Sequence, residues 1–284
     1  MPGFVLPLPE GYRSEEVLAF YGRDVPGISE QVFPGGLHKA MLIDGQPVEI
    51  VIQFHNALAA CSVDSGNPDA AKHAVERMLG LTLDATAFEQ RFLDDPLLGA
   101  VIQRQRGLRI PLTPTPWEAL SWAIMGQQIS VQMAVLLRRE LIRATGHPHA
   151  NGLYAHPSAE TVARLSVETL RSLKFSKPKA EYLIAAAQAV ASGDVPLTEE
   201  SSALLTGIRG IGPWTLQYLF LRGLGLPDCL PAGDVGLARG LERLSGKRPS
   251  EREVKQMMAR YAPFRSLATY HVWASLKDAV IDSD

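Results

Sequence analysis

The chain has 284 residues, of which 46% are hydrophobic and 20% charged, and its formal net charge is -2. This composition excludes a largely disordered chain and is sufficient for two or three domains with cores of their own. The near-neutral charge argues mildly against a nucleic-acid partner, because proteins that bind the phosphate backbone usually carry a basic excess. A net charge near zero nevertheless permits a cationic patch on one face of the protein.

The lengths of the apolar runs and the positions of the cysteines argue against membrane, secreted, disulfide-linked and cysteine–metal proteins. The longest apolar runs are far shorter than the ~20 residues needed to cross a bilayer, and the first residues lack the pattern of a signal peptide. We therefore expect a cytoplasmic protein. Cys61 and Cys229 lie far apart with no C-x-x-C partner, which argues against a disulfide framework, a cysteine-bound metal and an iron–sulfur cluster.

Strands are predicted in the first part of the chain. Residues 37–54 alternate polar and apolar side chains around Asp44-Gly45, a strong turn dipeptide for a two-stranded hairpin. We expect an N-terminal α+β domain over residues 1–80.

Helices are predicted over the rest of the chain. Three dipeptides pair a capping side chain with proline at the first helical position, namely Asn67-Pro68, Asp95-Pro96 and Thr115-Pro116. Apolar residues spaced by three and four follow, Gly146 is expected to end one helix, and no strand pattern interrupts this part. Residues 81–284 are therefore expected to be helical, as one body or as two lobes divided near residue 225. The predicted fold class is mainly α with an N-terminal α+β domain.

A glycine-rich turn lies between two predicted helices in residues 207–219, "GIRGIGPWTLQYL". The first helix ends at Gly207, and the second begins near Pro213, which suits a first helical turn. Gly210 and Gly212 can adopt positive φ and let another chain approach closely. The first N–H groups of the new helix carry a partial positive charge that attracts a phosphate. The alternative is a helical hairpin whose glycines only permit a sharp bend.

A carboxylate follows this turn at a distance that allows the two to meet. Asp234 lies 20 residues beyond Trp214, and the intervening chain is long enough to return it to the side of the turn. It precedes an amphipathic segment, "VGLARGLERLSG", which predicts an N-cap. The two roles are compatible, because a fixed, ionised carboxylate is suited to stabilising a positive charge that forms opposite it.

Several segments together resemble one family. The string "GIRGIGPWT" resembles the helix-hairpin-helix motif, and an aspartate about twenty residues later is the pattern of the DNA glycosylase superfamily built on that motif. The segments "AIMGQQIS", "WTLQY", "PFRSLATYHVW" and "LAFYGRDVPG" resemble its alkylated-base branch, the bacterial 3-methyladenine DNA glycosylase II family. The resemblance is dense over residues 111–273 and thin before them. It implies the helix-hairpin-helix glycosylase fold, with the active-site cleft between two helical lobes.

The resemblance also implies roles for the residues that would hold and process the base. Asp234 matches the catalytic aspartate of the family. The matching base-pocket aromatic residues are Trp214, Tyr218 and Trp273, with Phe20 from the first domain. The lyase branch has a Schiff-base lysine at the position of Trp214, so we expect a monofunctional glycosylase that leaves an abasic site with the strand intact.

Further residues would contact DNA or a cation, again by resemblance. The phosphate contacts would be Gly210, Gly212 and Thr215. Gln128 falls where the family inserts a side chain into the gap left by the extruded nucleotide, a position at which some members have leucine. A structural monovalent cation would be held by the backbone carbonyls of Thr206, Ile208 and Ile211. No other cofactor is expected.

The expected activity is the release of alkylated purines, such as 3-methyladenine and 7-methylguanine, from duplex DNA. Such bases are cationic and gain ~0.5 to 2 kcal/mol from aromatic faces where water is excluded. The protein is expected to act as a monomer, associated with the nucleoid when bound to DNA and without a membrane partner. Two alternatives stay open: a non-catalytic DNA-binding module whose aromatic residues are core packing, and a glycosylase for hypoxanthine, ethenoadenine or oxidised guanine.

Overall fold

A five-stranded antiparallel sheet forms the first part of the chain. The computed structural model describes residues 3–281, with side chains through residue 277. The strands are β1 (Gly3–Pro7), β2 (Glu30–Phe33), β3 (Gly36–Ile43), β4 (Gln46–His55) and β5 (Leu58–Val63). Their order in the sheet is β1-β5-β4-β3-β2. The predicted hairpin is confirmed, since Asp44 and Gly45, both at positive φ, form the turn between β3 and β4.

Two helices cover this sheet and complete its hydrophobic core. They are α1 (Ser14–Tyr21) and α2 (Pro68–Met78), and the buried members of the core run from Leu6 to Leu79. The core of the helical part begins at Ala85. Buried contacts also join the two parts, because the hydroxyl of Tyr21 donates to the carbonyl of Leu112 at 2.6 Å. The division of the chain at residue 80 stays a prediction.

The remainder of the chain is helical. Its first helices are α3 (Ala85–Phe92), α4 (Gly99–Arg104), α5 (Pro116–Gly126), α6 (Val131–Thr145), α7 (Ala159–Ala163), α8 (Val167–Ser172) and α9 (Lys177–Ala191). The later ones are α10 (Ser202–Gly207), α11 (Pro213–Tyr218), a π-helix (Leu219–Leu224), α12 (Val235–Ser245), α13 (Glu251–Met258), a 3₁₀ turn (Ala259–Tyr261) and α14 (Arg265–Ile281). None of the helices in the described part of the chain is both long and apolar enough to span a membrane.

The predicted helix starts are confirmed at two of three positions. The side chain of Asn67 accepts hydrogen bonds from the backbone of α2, and that of Thr115 accepts one from the backbone of α5. The start predicted at Asp95 is wrong, because its carboxylate accepts from the N–H groups of Leu97 and Leu98 in a separate turn. The helix itself begins four residues later, at α4.

The expectation that no strand interrupts the helical part is also wrong. Two short strands, β6 (His147–Pro148) and β7 (Tyr154–Ala155), pair with each other after α6. Leu153 and Ala155 are buried against Ala40 of β3. Strands of two residues are too short to show an alternating pattern, which explains why the sequence did not reveal them.

The close packing of α12 on α14 brings the residues of the candidate site together. A Cβ atom on Gly240 of α12 would lie 2.4 Å from Cγ1 of Val272 in α14, so only glycine allows this approach. In the first turn of α12, a Cβ atom on Gly236 would lie 3.5 Å from the indole of Trp273, so the N-terminus of this helix lies beside that residue.

Candidate active site

Asp234 lies at the N-terminus of α12, between two tryptophans. Its Oδ1 atom accepts hydrogen bonds from the N–H of Leu237 at 2.7 Å and from Nε1 of Trp273 at 2.9 Å. Its Oδ2 atom accepts one from Nε1 of Trp214 at 2.9 Å. Trp214 belongs to the hairpin, so the carboxylate faces the glycine turn as well as capping its helix. A carboxylate has about four acceptor sites, which leaves one on Oδ2 for a water or a substrate atom.

The glycine turn joins α10 to α11 in a helix-hairpin-helix arrangement. Gly210 has φ +94°, and a Cβ atom there would lie 2.2 Å from Cγ of Tyr182. Gly212 has φ −91° and ψ 178°, an extended conformation, because it serves as the N-cap of α11. In the part of the chain that the structure describes, and apart from its own chain neighbours, no atom lies within 4 Å of where its Cβ would be. The backbone at Gly212 is therefore open to a close approach from outside.

Thr215, in the first turn of α11, is buried, and its hydroxyl already has a hydrogen-bond partner. The residue is 2% exposed, and its hydroxyl accepts a hydrogen bond from Nε2 of Gln127 at 3.0 Å. Because its hydroxyl is buried and paired, the group that Thr215 could offer to a phosphate is its backbone N–H, which has no intrahelical partner at this position. In the turn itself, the carbonyl of Ile208 accepts the N–H of Ile211 at 3.0 Å.

The junction of α5 and α6 presents Gln128 to solvent. This exposed residue has φ +55°, a conformation that costs a non-glycine side chain about 1 kcal/mol. Nζ of Lys179, in α9, donates to the carbonyls of Met125 and Gln127, which fixes the end of α5. The next residues toward α6 include an exposed Val131. A strained, exposed side chain on a fixed loop is suited to insertion into DNA.

The sequence did not indicate the roles of Gln127 and Lys179. Besides its bond to Thr215, Nε2 of Gln127 donates to the carbonyl of Gly210 at 2.7 Å. This glutamine therefore joins the loop that carries Gln128 to the glycine turn. The adjacent glutamines Gln127 and Gln128 are visible in the sequence, but only Gln128 matches a residue with a known role in the family.

Aromatic rings extend from Asp234 to the first domain. The ring centroids of Trp214 and Tyr218 lie 5.4 Å apart, and those of Tyr218 and Trp273 6.4 Å apart. Tyr218 is 8% exposed, whereas the two tryptophans are half-buried. Tyr218 therefore also packs in the core, as the alternative interpretation proposed, while the tryptophans keep surface for a ligand. Phe20 and Tyr218 both line a neighbouring cavity.

Buried charges line the inner side of this cavity. Arg138 donates to both carboxylate oxygens of Glu30, at 2.7 and 3.0 Å, and Nζ of Lys39 lies 3.2 Å from the same carboxylate. Burial alone would raise the pKa of Glu30, but Arg138 and Lys39 lower it to about 2. The next residue of α6, Arg139, pairs with Asp24 at 2.6 Å. These ion pairs join the sheet domain to α6.

Comparisons with known proteins agree with this arrangement. The family described as "HhH-GPD superfamily base excision DNA repair protein" matches residues 121–263. A DNA-3-methyladenine glycosylase of Bacillus subtilis is 29% identical over 80% of this chain and 78% of its own. The 3-methyladenine DNA-glycosylase from Archaeoglobus fulgidus has the same fold, with a TM-score of 0.84 and 23% identity over 95% of this chain and 97% of that one.

A further solved structure was obtained with DNA bound. The 3-methyladenine DNA glycosylase of Schizosaccharomyces pombe, in complex with abasic DNA, is 27% identical with a TM-score of 0.57, over 67% of this chain and 97% of that one. The family match covers half of the present chain and includes the glycine turn, Asp234 and the junction of α5 and α6. The chain therefore belongs to the HhH-GPD superfamily of base excision DNA repair proteins.

Proposed function

We propose that the protein is a monofunctional DNA glycosylase that hydrolyses the N-glycosidic bond of alkylated purines flipped out of duplex DNA. The observation that carries this proposal is the carboxylate of Asp234, held by two indole N–H groups beside an open glycine turn. The similarity to proteins named DNA-3-methyladenine glycosylase supports the choice of alkylated bases.

Asp234 would act on the sugar, not on the base. A purine alkylated at N3 or N7 is cationic and therefore already a good leaving group, so the main barrier is the positive charge that develops on the deoxyribose as the bond lengthens. A carboxylate fixed in direction stabilises that charge without reorganising. The acceptor site left on Oδ2 would face the sugar or orient the attacking water.

Among the described residues, the donors to the carboxylate of Asp234 are two indoles and one backbone N–H, with no amine among them, which supports hydrolysis without strand cleavage. Trp214 occupies the position of the lysine in the lyase branch, and its indole nitrogen donates to Asp234. The ammonium of Lys179, in α9, is held by backbone carbonyls at the end of α5. The expected product is an abasic site in an intact strand.

Contacts to DNA would come from the turn and the α5–α6 junction. The backbone N–H groups at the start of α11 would bind a phosphate, and Gln128 would fill the gap left by the flipped nucleotide. A monovalent cation belongs to the same proposal, because the neutral carbonyls of Thr206, Ile208 and Ile211 suit such an ion. The carbonyl of Ile208, which accepts one hydrogen bond, keeps a second lone pair for it. We expect a cytoplasmic monomer that associates with the nucleoid.

One assay tests the activity and the role of Asp234. Purified protein is incubated with methylated duplex DNA, and free bases are identified by chromatography. Asp234→Asn keeps the N-cap but not the charge, and is expected to lose base release at least 100-fold while retaining DNA affinity. Asp84→Asn is the matched control, because Asp84 caps α3 in the same way outside the site.

Each outcome of this assay has a defined meaning. Release of methylated purines by the wild type and by Asp84→Asn, but not by Asp234→Asn, supports the proposal. DNA binding without base release by the wild type would identify a binding module instead. Strand cleavage that persists through further purification and in EDTA would overturn the monofunctional assignment.

A further inference from the structure

A buried guanidinium group lies behind the aromatic wall of the proposed base pocket. Arg222, in the π-helix, is 3% exposed. Its guanidinium carbon lies 4.7 Å from the ring centroid of Phe20, 4.7 Å from that of Tyr270 and 5.6 Å from that of Trp273. Two of these three rings belong to the proposed pocket.

Arg222 forms no ion pair with a carboxylate within the described residues. Its Nη1 atom donates to the carbonyl of Pro111 at 2.6 Å, while its buried Nε atom has no hydrogen-bond partner among residues 3–277. Within the same residues, no carboxylate oxygen lies within 4.0 Å of the guanidinium nitrogens. Because buried surroundings screen a charge weakly, the field of Arg222 reaches through the rings into the pocket.

A second guanidinium group contacts the same pocket ring at the surface. The guanidinium carbon of Arg23 lies 4.6 Å from the ring centroid of Phe20, and this exposed residue also lines the cavity. Phe20 thus has two cations within 5 Å of its centroid. The cation–π interaction that the ring of Phe20 could make with a cationic base is therefore already made with Arg23 and Arg222.

We infer that Arg222 is a specificity-determining residue that disfavours cationic bases relative to neutral alkylated purines, such as 1,N6-ethenoadenine. The inference rests on the proposed function. A 3-methyladenine base enters the pocket with a positive charge and is repelled by Arg222, whereas an etheno adduct is neutral and is not. Stacking on Trp214 and Tyr218 remains available to both kinds of base. The aromatic residues alone would make the pocket prefer cationic bases, and the charge of Arg222 reduces that preference.

The test compares base release from two duplexes, one containing 3-methyladenine and one containing 1,N6-ethenoadenine, under single-turnover conditions. The quantity measured is the ratio of the two rates. Arg222→Met removes the charge with little change in volume and is expected to raise the cationic-to-neutral ratio about tenfold. Arg222→Lys keeps the charge and is the matched control, with a ratio within about threefold of the wild type. A ratio that Arg222→Met leaves unchanged would overturn the inference.

If circular dichroism shows that Arg222→Met does not fold, the inference is tested at Arg23, the exposed residue that contacts the same ring. Arg23→Met is then compared with Arg23→Lys, and the expected rise of the ratio is about threefold at low salt and smaller at high salt, because salt screens an exposed charge. No rise at any salt concentration would refute the inference. Failure of the wild type to release either base would instead refute the proposed glycosylase function.

Discussion

The side-chain amide of Gln127 joins the two elements proposed to hold DNA. It donates to the carbonyl of Gly210, in the glycine turn, at 2.7 Å, and its neighbour in the chain is Gln128, the proposed wedge. A phosphate bound at the turn therefore has a fixed position relative to the side chain that would replace the flipped nucleotide.

Removal of this amide is expected to weaken both contacts together. Gln127→Ala loses two hydrogen bonds, each worth about 1 kcal/mol, so affinity for duplex DNA containing an abasic site should fall about tenfold. Fluorescence of 2-aminopurine beside the lesion should report less base extrusion at saturating protein. Gln188→Ala on α9 is the matched control, because Gln188 makes a single exposed contact at 3.5 Å. Equal DNA affinity of the two variants would contradict the coupling.

The two glycines of the turn are expected to respond differently to alanine. Gly210→Ala combines positive φ with a clash against the ring of Tyr182 and should lower the free energy of unfolding by about 2 kcal/mol or more. Gly212→Ala has ordinary φ and open space, so its free energy of unfolding should change by less than about 1 kcal/mol. Its new methyl group would nevertheless obstruct a phosphate, and DNA affinity should fall. Urea denaturation and fluorescence anisotropy with labelled duplex separate these effects.

The two indole donors to Asp234 are expected to contribute unequally. Trp214→Phe leaves Oδ2 without its donor, whereas after Trp273→Phe the Oδ1 atom keeps the N–H of Leu237. The rate of base release at saturating protein should therefore fall by about tenfold for the first variant and less for the second. A larger loss in Trp273→Phe would show that its ring, not its N–H, is the important contact.

Acid is expected to destabilise the fold well above the pH at which carboxylates titrate. Burial lowers the pKa of His156 to about 3, with Arg138 and Lys39 acting in the same direction, and burial likewise lowers that of His271 to about 3. Both are neutral in the folded protein, while the unfolded chain binds protons below pH ~6.5. Stability is thus full above that pH and falls as the pH drops toward 3.

The expected loss between pH 7 and 5 is roughly 2 kcal/mol for each of these histidines. Urea denaturation at the two pH values measures it, and His156→Gln should remove about half of the difference. The pair of Glu30 with Arg138 adds a second loss at lower pH, between about 4.5 and 2, because its depressed pKa favours the ionised folded form. Equal free energies of unfolding at pH 7 and 5 would contradict the burial of the two histidines as neutral rings.

Local patterns predicted those parts of the fold that depend on neighbouring residues in the chain. The turn at Asp44-Gly45 and the cap at Thr115 each follow from residues close in sequence, so they could be predicted without the structure. The cap at Asp95 failed because a capping side chain also stabilises an isolated turn. For Gly212 the sequence could not decide, since glycine adopts either sign of φ with little cost.

Contacts between distant segments could not be predicted in this way. Spacing permitted Asp234 to reach the glycine turn, but the two indole bonds depend on how α12 packs against α14 and α11. Arg222 carries no local signal, because its importance comes from rings that lie far from it in the sequence, on α1 and α14. The same is true of the pairing of Glu30 with Arg138.

The two adjacent ion pairs of α6 fix this helix to the first domain, which has a consequence for how force would be transmitted through the protein. Arg138 and Arg139 attach consecutive points of this helix to Glu30 and Asp24, and the helix begins just after Gln128. If Gln128 inserts into stacked base pairs as proposed, the reaction force on its side chain would pass along α6 to these ion pairs. The sheet domain would then hold the helix in place, so that the DNA bends while the loop keeps its shape.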